Sequence, residues 1–416
     1  MKSKPYPKYK PSGVEWLGDV PEHWEIKRLK HLALLKSGEP ITTEEIEETG
    51  DHPVYGGNGI RGYTDRFTHE GFFVLIGRQG ALCGNINYAN DKFWASEHAV
   101  VVRPSKPFVA IWMGELLRCM DLNQYSISAA QPGLSIDRIK DLHIPIPPLS
   151  EQQAIADFLD RETGRIDALI EKKERLLELL ADQRAALISR AVTRGLDPSV
   201  KLKPSGVEWL GDIPGHWEVK RVKHIANIRY GVGEPPEYVE DGVAFIRATN
   251  VNAGMIESEN LARINPEDIP FTRRTWLKTG DIIVVRSGAY TGDSAIIPEE
   301  YSGSIAGFDM VVSCRKATSS FLAYALLSKY LRDGQIFLQK MRAAQPHLNA
   351  EELGNCLVFL PSLTEQHAIA DFLDRETAKI DALSGKVKEA IEKLREYRSA
   401  LISAAVAGKI CLKEVL

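Results

Sequence analysis

Two stretches of the chain place apolar residues at alternating spacings of three and four. In the C-terminal stretch Ile380, Leu383, Val387, Ala390, Leu394, Tyr397, Leu401 and Ala404 fill every inward position of a heptad pattern. The same register earlier in the chain gives Ile166, Leu169, Lys173, Leu176, Leu180, Gln183 and Leu187, with Ile170 and Leu177 widening the stripe. Two such seams are expected to pack on each other, with the polar Lys173 and Gln183 either fixing the register or, the favoured reading, lying at a solvated edge. Ser150 to Gln153, directly after Pro147 and Pro148, reads as a capping box that opens the first helix, and Thr364 repeats the cap, weakened by His367.

The remaining chain alternates short β-type runs (residues 72–76, 100–103, 243–247 and 310–314) with one helix in each half, near 107–120 and 321–341. The expectation is α+β, with mixed or antiparallel sheet.

These elements occur twice. Residues 11–31 recur at 204–224 with 17 of 21 identical, an offset of 193; residues 149–170 recur at 363–384 with 17 of 22 identical, an offset of 214. Between the shared segments the copies are almost unrelated, except that Arg78-Gln-Gly-Ala-Leu-Cys-Gly84 matches Arg286-Ser-Gly-Ala-Tyr-Thr-Gly292. Both follow apolar β runs, so one fold is expected to carry two different surfaces, held on helices that must match. The segments expected are 1–149, a helix over 150–195, 196–362, and a helix over 363–416.

Composition removes alternatives. No apolar run approaches the roughly 20 residues a membrane span needs. Five widely spaced cysteines argue against a disulfide framework and against CxxC metal knuckles, so free thiols in a reducing cytoplasm are expected. A net charge of −4 gives no overall basic footprint, so any nucleic-acid face must be local. P-loop, HExxH and GxSxG motifs are absent. The Gly57-Asn-Gly-Ile-Arg-Gly62 run lacks a following helix and reads as a turn, while Glu234-Pro-Pro-Glu-Tyr238 departs too far from an adenine methyltransferase loop to be one. No catalytic residue and no metal site is expected. Trp16, Trp24, Trp209 and Trp217 recur with their neighbours and read as packing anchors.

The divergent parts offer Asn58, Arg61, Arg78 and Gln79 in the first copy and Arg247, Asn250, Asn252, Arg286 and Tyr290 in the second. Arg pairs bidentately with guanine, and Asn or Gln with adenine, so these are candidate base readers. Gln131 and Gln345, each followed by proline at the 214 offset, fit either DNA contact or a structural turn. A scaffold whose globular parts bind protein rather than DNA is the alternative.

Taken together, SGVEWLGDVPEHW (12–24), SGVEWLGDIPGHW (205–217), PIPPLSEQQAIADFLDRET (145–163), YGGNGIRGY (55–63) and GDIIVVRSG (280–288) closely resemble the specificity (S) subunit of type I restriction-modification systems, across essentially the whole chain. The resemblance implies two target-recognition domains, roughly 1–149 and 204–362, each reading half of a bipartite, asymmetric double-stranded DNA site. It implies that the long helices pair antiparallel as a pseudo-two-fold coiled-coil spacer and recruit two methyltransferase (M) subunits. Adenine-N6 methylation from S-adenosylmethionine, and ATP- and Mg-dependent restriction by R subunits, would then belong to partner chains, with no cofactor on this one. Departures are His367 and Gly385, the latter expected to interrupt the second helix early at a cost of about 1 kcal/mol relative to Ala.

Overall fold

The computed structural model describes residues 5–80, 82–126, 133–207, 211–337 and 347–412. The chain forms two compact units, residues 1–173 with 389–416, and residues 174–388. The division passes through both long helices, Leu149–Arg194 and Leu363–Val406, so each unit contains one globular domain and a part of each helix.

The central sheet of the first unit has the order Ala33–Ser37, Ala99–Pro104, Phe73–Gly77, Ile86–Ala89, all antiparallel. The second unit repeats it with Ala226–Tyr230, Met310–Cys314, Ile282–Val284 and Ser294–Ile296. In both, the last strand in sequence lies between the first and second. A parallel pairing is also repeated, Lys92–Ala95 on His52–Gly56 and Tyr238–Ile246 on Ile305–Ala306, which makes the architecture α+β with mixed sheet.

Strand periodicity sorts these runs to two sides. Val74, Ile76, Val100 and Val102 enter one core with helix Ala110–Cys119, while Leu75, Ala99 and Val101 enter another with Phe93. Ile282, Val284, Met310 and Val312 likewise separate from Ile283, Val285 and Val311. Central strands covered on both faces therefore read as continuous apolar runs rather than alternating ones.

The repeated opening segments are anchors. Trp24 is fully buried and its indole N–H donates to Glu151 Oε2 at 2.9 Å, beside His23 Nε2 at 2.8 Å from Oε1. Trp217 and His216 meet Glu365 in the same way, at 3.0 and 2.8 Å. Gln152 accepts from Val109 N and donates to Pro147 O; Gln366 does so with Thr318 and Pro361. These paired contacts explain the near-identity of the shared segments. Trp16 packs at the edge of the core, and Trp209 lies outside the described residues.

Two expectations about the helices are corrected. Ser150 does not cap: the helix begins at Leu149, the amides of Glu151 and Gln152 donate to Pro148 O, and Gln153 donates to Asp157 instead of reaching back. In the second copy the capping oxygen is that of Ser362, which accepts from Glu365 N at 3.3 Å, rather than that of Thr364. Gly385 does not interrupt the second helix, which runs on to Val406.

The seam is also shifted at alternate positions. Ile166, Leu180, Ile380, Val387 and Leu401 are buried, and Leu187 and Leu394 partly so, as expected. Leu169, Leu176, Leu383 and Tyr397 are exposed; the inward positions are one residue later, at Ile170, Leu177, Arg184, Ile391 and Arg398. Arg184 is held there by Asp381 at 3.0 Å, and Arg398 by Asp167 at 2.8 Å. At the 214 offset this is one ion pair formed twice, and the partners run backward along one helix as they run forward along the other. The helices are antiparallel. Ile391→Asp is therefore expected to destabilise by several kcal/mol, since Ile391 is 4% exposed. Leu383→Asp should stay within about 0.5 kcal/mol. Thermal unfolding of both variants checks the register.

Candidate nucleic-acid interface

In each unit an arginine leaves the end of a central strand. Arg78 follows Phe73–Gly77; its N–H donates to His98 O at 2.8 Å, and its guanidinium donates to Ser37 Oγ at 3.2 Å. Leu134 N–H closes on Arg78 O at 2.9 Å. In the second unit Leu348 N–H closes on Arg286 O at 2.8 Å, while Arg286 N–H donates to Asp309 Oδ1 at 3.2 Å. The match between Arg78 and Arg286 in sequence is thus a match in backbone position. The segments after Gln131-Pro132 and Gln345-Pro346 dock beside them, although Gln131 and Gln345 themselves lie outside the described residues.

The glycine run at 57–62 forms a hairpin turn, as expected, and the start of the strand Gly59–Thr64 that follows it, with Gly56 paired to Gly59. It sits over the end of the central strand because Gly77 has no side chain: a Cβ there would lie 1.9 Å from Gly57 O. Asn58 and Gln79 are exposed and Arg78 half-buried. Asn58 Oδ1 accepts from Asn85 Nδ2 at 2.7 Å, and the exposed Arg61 lays its side chain along Gly56. The structure thereby brings Asn58, Arg61, Arg78 and Gln79 to one end of the sheet and adds Ser37, Asn85 and His98, which came from segments with no motif of their own.

The second unit builds a different setting on the same frame. The Arg286 guanidinium packs over two rings, 4.5 Å from the centroid of Tyr230 and 4.3 Å from that of Phe308. Its Nη2 is 3.3 Å from His347 Nε2, and Ser287 Oγ is 2.9 Å from His347 Nδ1. A guanidinium packed over aromatic rings keeps its planar N–H edge oriented, which suits bidentate pairing with a base edge or phosphate. Burial pushes the Asp309 carboxyl up to about 6, against the lowering effect of the Arg286 N–H and charge. At neutral pH Asp309 is therefore still mostly ionised beside Arg286, and it is neutralised as the pH falls through about 6.

Arg247, over the Tyr238 ring at 5.3 Å, shares a cavity of about 210 Å³ with Ser287, Phe308 and Asp309. Tyr290 is exposed in the turn that follows Arg286, and Asn252 is exposed but donates to Glu257. Asn250, expected to read a base, is not placed to do so. It is fully buried, its Oδ1 accepts from Arg247 N, and its Nδ2 donates to the carbonyls of Glu257 and Glu259, so it shapes a loop and has no edge to offer a base. Tyr230, Phe308 and His347 were not visible in sequence because three separate segments bring them to Arg286.

Among the described residues no cluster of three His, Cys, Asp or Glu could hold a metal, and no helix is long and apolar enough to cross a membrane. The five cysteines are free thiols.

The model of the type I restriction modification DNA specificity domain matches twice, at residues 21–179 and 214–393. The type I restriction enzyme EcoprrI specificity subunit of Escherichia coli is 38% identical over 165 residues, 39% of this chain and 41% of that one. The EcoBI specificity subunit of E. coli is 26% identical over 95% of this chain and 88% of its own length. A chain of a solved structure described as the basis of complex assembly and conformational transition of the type I R-M system has a TM-score of 0.69 at 17% identity, covering 93% of this chain and 98% of that one.

Proposed function

Because this chain belongs to the type I restriction-modification DNA specificity family, we propose that its two units each read one half of a bipartite, asymmetric double-stranded DNA site. The observation that carries this reading is the pairing of a common frame with unlike tips. Arg78 and Arg286 occupy the same strand end, yet one donates to Ser37 and the other is clamped by Tyr230, Phe308 and His347. A duplicated frame with different chemistry at its reading end suits two different half-sites. Footprinting of the assembled complex should give two protected stretches with an unprotected gap; one continuous short footprint would contradict it.

The antiparallel helices serve as spacer and as the seat for two methyltransferase subunits. The helix of 46 residues spans about 69 Å at 1.5 Å per residue, against about 34 Å for one DNA turn. Support for two copies of one partner comes from leucines exposed at the same repeated positions, Leu149 with Leu363 and Leu169 with Leu383, the last two 45% exposed in each copy. An apolar side chain kept outside the seam at both repeats fits a repeated docking surface. Leu169→Asp combined with Leu383→Asp is expected to weaken methyltransferase binding about tenfold or more without lowering the unfolding temperature. Calorimetric titration of the partner, beside a melting curve, checks this.

In this reading the chain supplies recognition, and the chemistry belongs to partner chains: S-adenosylmethionine-dependent adenine-N6 methylation on the M subunits, and ATP- and Mg-dependent restriction on R subunits, in the cytoplasm.

A further inference from the structure

One pocket is filled in the first unit and open in the second. On strand Ile86–Ala89, Tyr88 stands opposite Val74 in the register, stacks on Phe72 with centroids 5.7 Å apart, and donates to Glu115 Oε1 at 2.9 Å. The ring fits only because Gly114 carries no side chain, since a Cβ there would lie 2.2 Å from the Tyr88 hydroxyl. In the second unit the register puts Ile296 opposite Ile282, in the place of Tyr88. Counting from Val109 and Thr318, whose amides bond Gln152 and Gln366 alike, Ala323 takes the place of Gly114.

With the ring absent, a cavity of about 400 Å³ opens in the second unit, with Ile296, Ala323 and Leu327 among its apolar walls. That volume is within the range of small-molecule sites. Its polar groups are not balanced internally. Ser294, 1% exposed, has an Oγ with no hydrogen-bond partner among the described residues, which is costly for a buried hydroxyl. Asp381 is paired with Arg184 at 3.0 Å, whereas Asp374 accepts only the Tyr324 hydroxyl at 2.7 Å and has no cation partner among the described residues.

We propose that this cavity is a binding site for a small aromatic amine. Its ring takes the space that Tyr88 fills in the first unit, its protonated nitrogen pairs with Asp374, and its polar edge satisfies Ser294. The unit that supplies its own phenol has no such site.

The test titrates tryptamine into the full chain by calorimetry, with indole-3-acetate as a probe of the same ring and opposite charge. Tryptamine should bind saturably and at least tenfold more tightly than indole-3-acetate. Ile296→Tyr with Ala323→Gly, which copies the first unit's filling, should abolish binding. Asp374→Asn should weaken binding about tenfold with an unchanged melting temperature, and decides the matter if the filled variant does not fold. Absence of saturable binding to the folded chain, equal binding of the two probes, or undiminished binding to either variant overturns the proposal.

Discussion

Arg286→Ala is expected to lower the affinity of the assembled complex for its DNA site by about tenfold to a hundredfold, the value of one good bidentate base contact at roughly 1–3 kcal/mol. The guanidinium is already packed over Tyr230 and Phe308, so little side-chain freedom is left to lose on binding. Arg286→Lys should not restore the contact, because an ammonium lacks both the planar face for two rings and the paired N–H edge. Fluorescence anisotropy at one fixed salt concentration checks the prediction, with cognate and scrambled duplexes compared. A loss confined to the cognate duplex marks base reading; an equal loss on both marks a phosphate contact. Unchanged binding on both would remove Arg286 from the interface.

Trp24→Ala should destabilise the first unit by about 3–5 kcal/mol. The indole is fully buried, and its removal empties a large volume and deprives Glu151, itself buried, of one of its donors. Gly408 presses on the same ring, 2.9 Å from where its Cβ would stand, so the hole reaches the end of the second long helix. Denaturant unfolding should show the loss as an earlier transition of the first unit, with the second unit's transition retained. A loss below about 1 kcal/mol would mean that the surroundings collapse into the space.

What could be read from sequence was what duplication repeats. Trp24 and Trp217 stood out as anchors because each recurs with its neighbours, and both prove to be fully buried against a repeated glutamate. Arg78 and Arg286 were legible because one short match survives between otherwise divergent domains. The seam was half legible. Apolar residues at both 169 and 170, and at both 176 and 177, leave two registers open, and the true one places Arg184 and Arg398 inward, where a pattern of apolar residues does not look for them. The helix start was misread because Pro148 and Ser362 supply the first acceptors in place of Ser150 and Thr364. Asn250 was misassigned because its bonds go to carbonyls of residues 257 and 259, a loop closure that a single-residue reading does not contain. The clamp on Arg286 was invisible for the same reason: Tyr230, Phe308 and His347 are distant in sequence and meet only through the fold.

On the proposed function, two units on one chain read two halves of one site independently. The most direct test is long-read mapping of adenine methylation in cells carrying this chain and its methyltransferase, before and after residues 226–353 are exchanged for the corresponding segment of another family member. The expected result is a two-part motif in which one half changes, while the other half stays as it was. A single undivided motif, or a motif left wholly unchanged by the exchange, would contradict it.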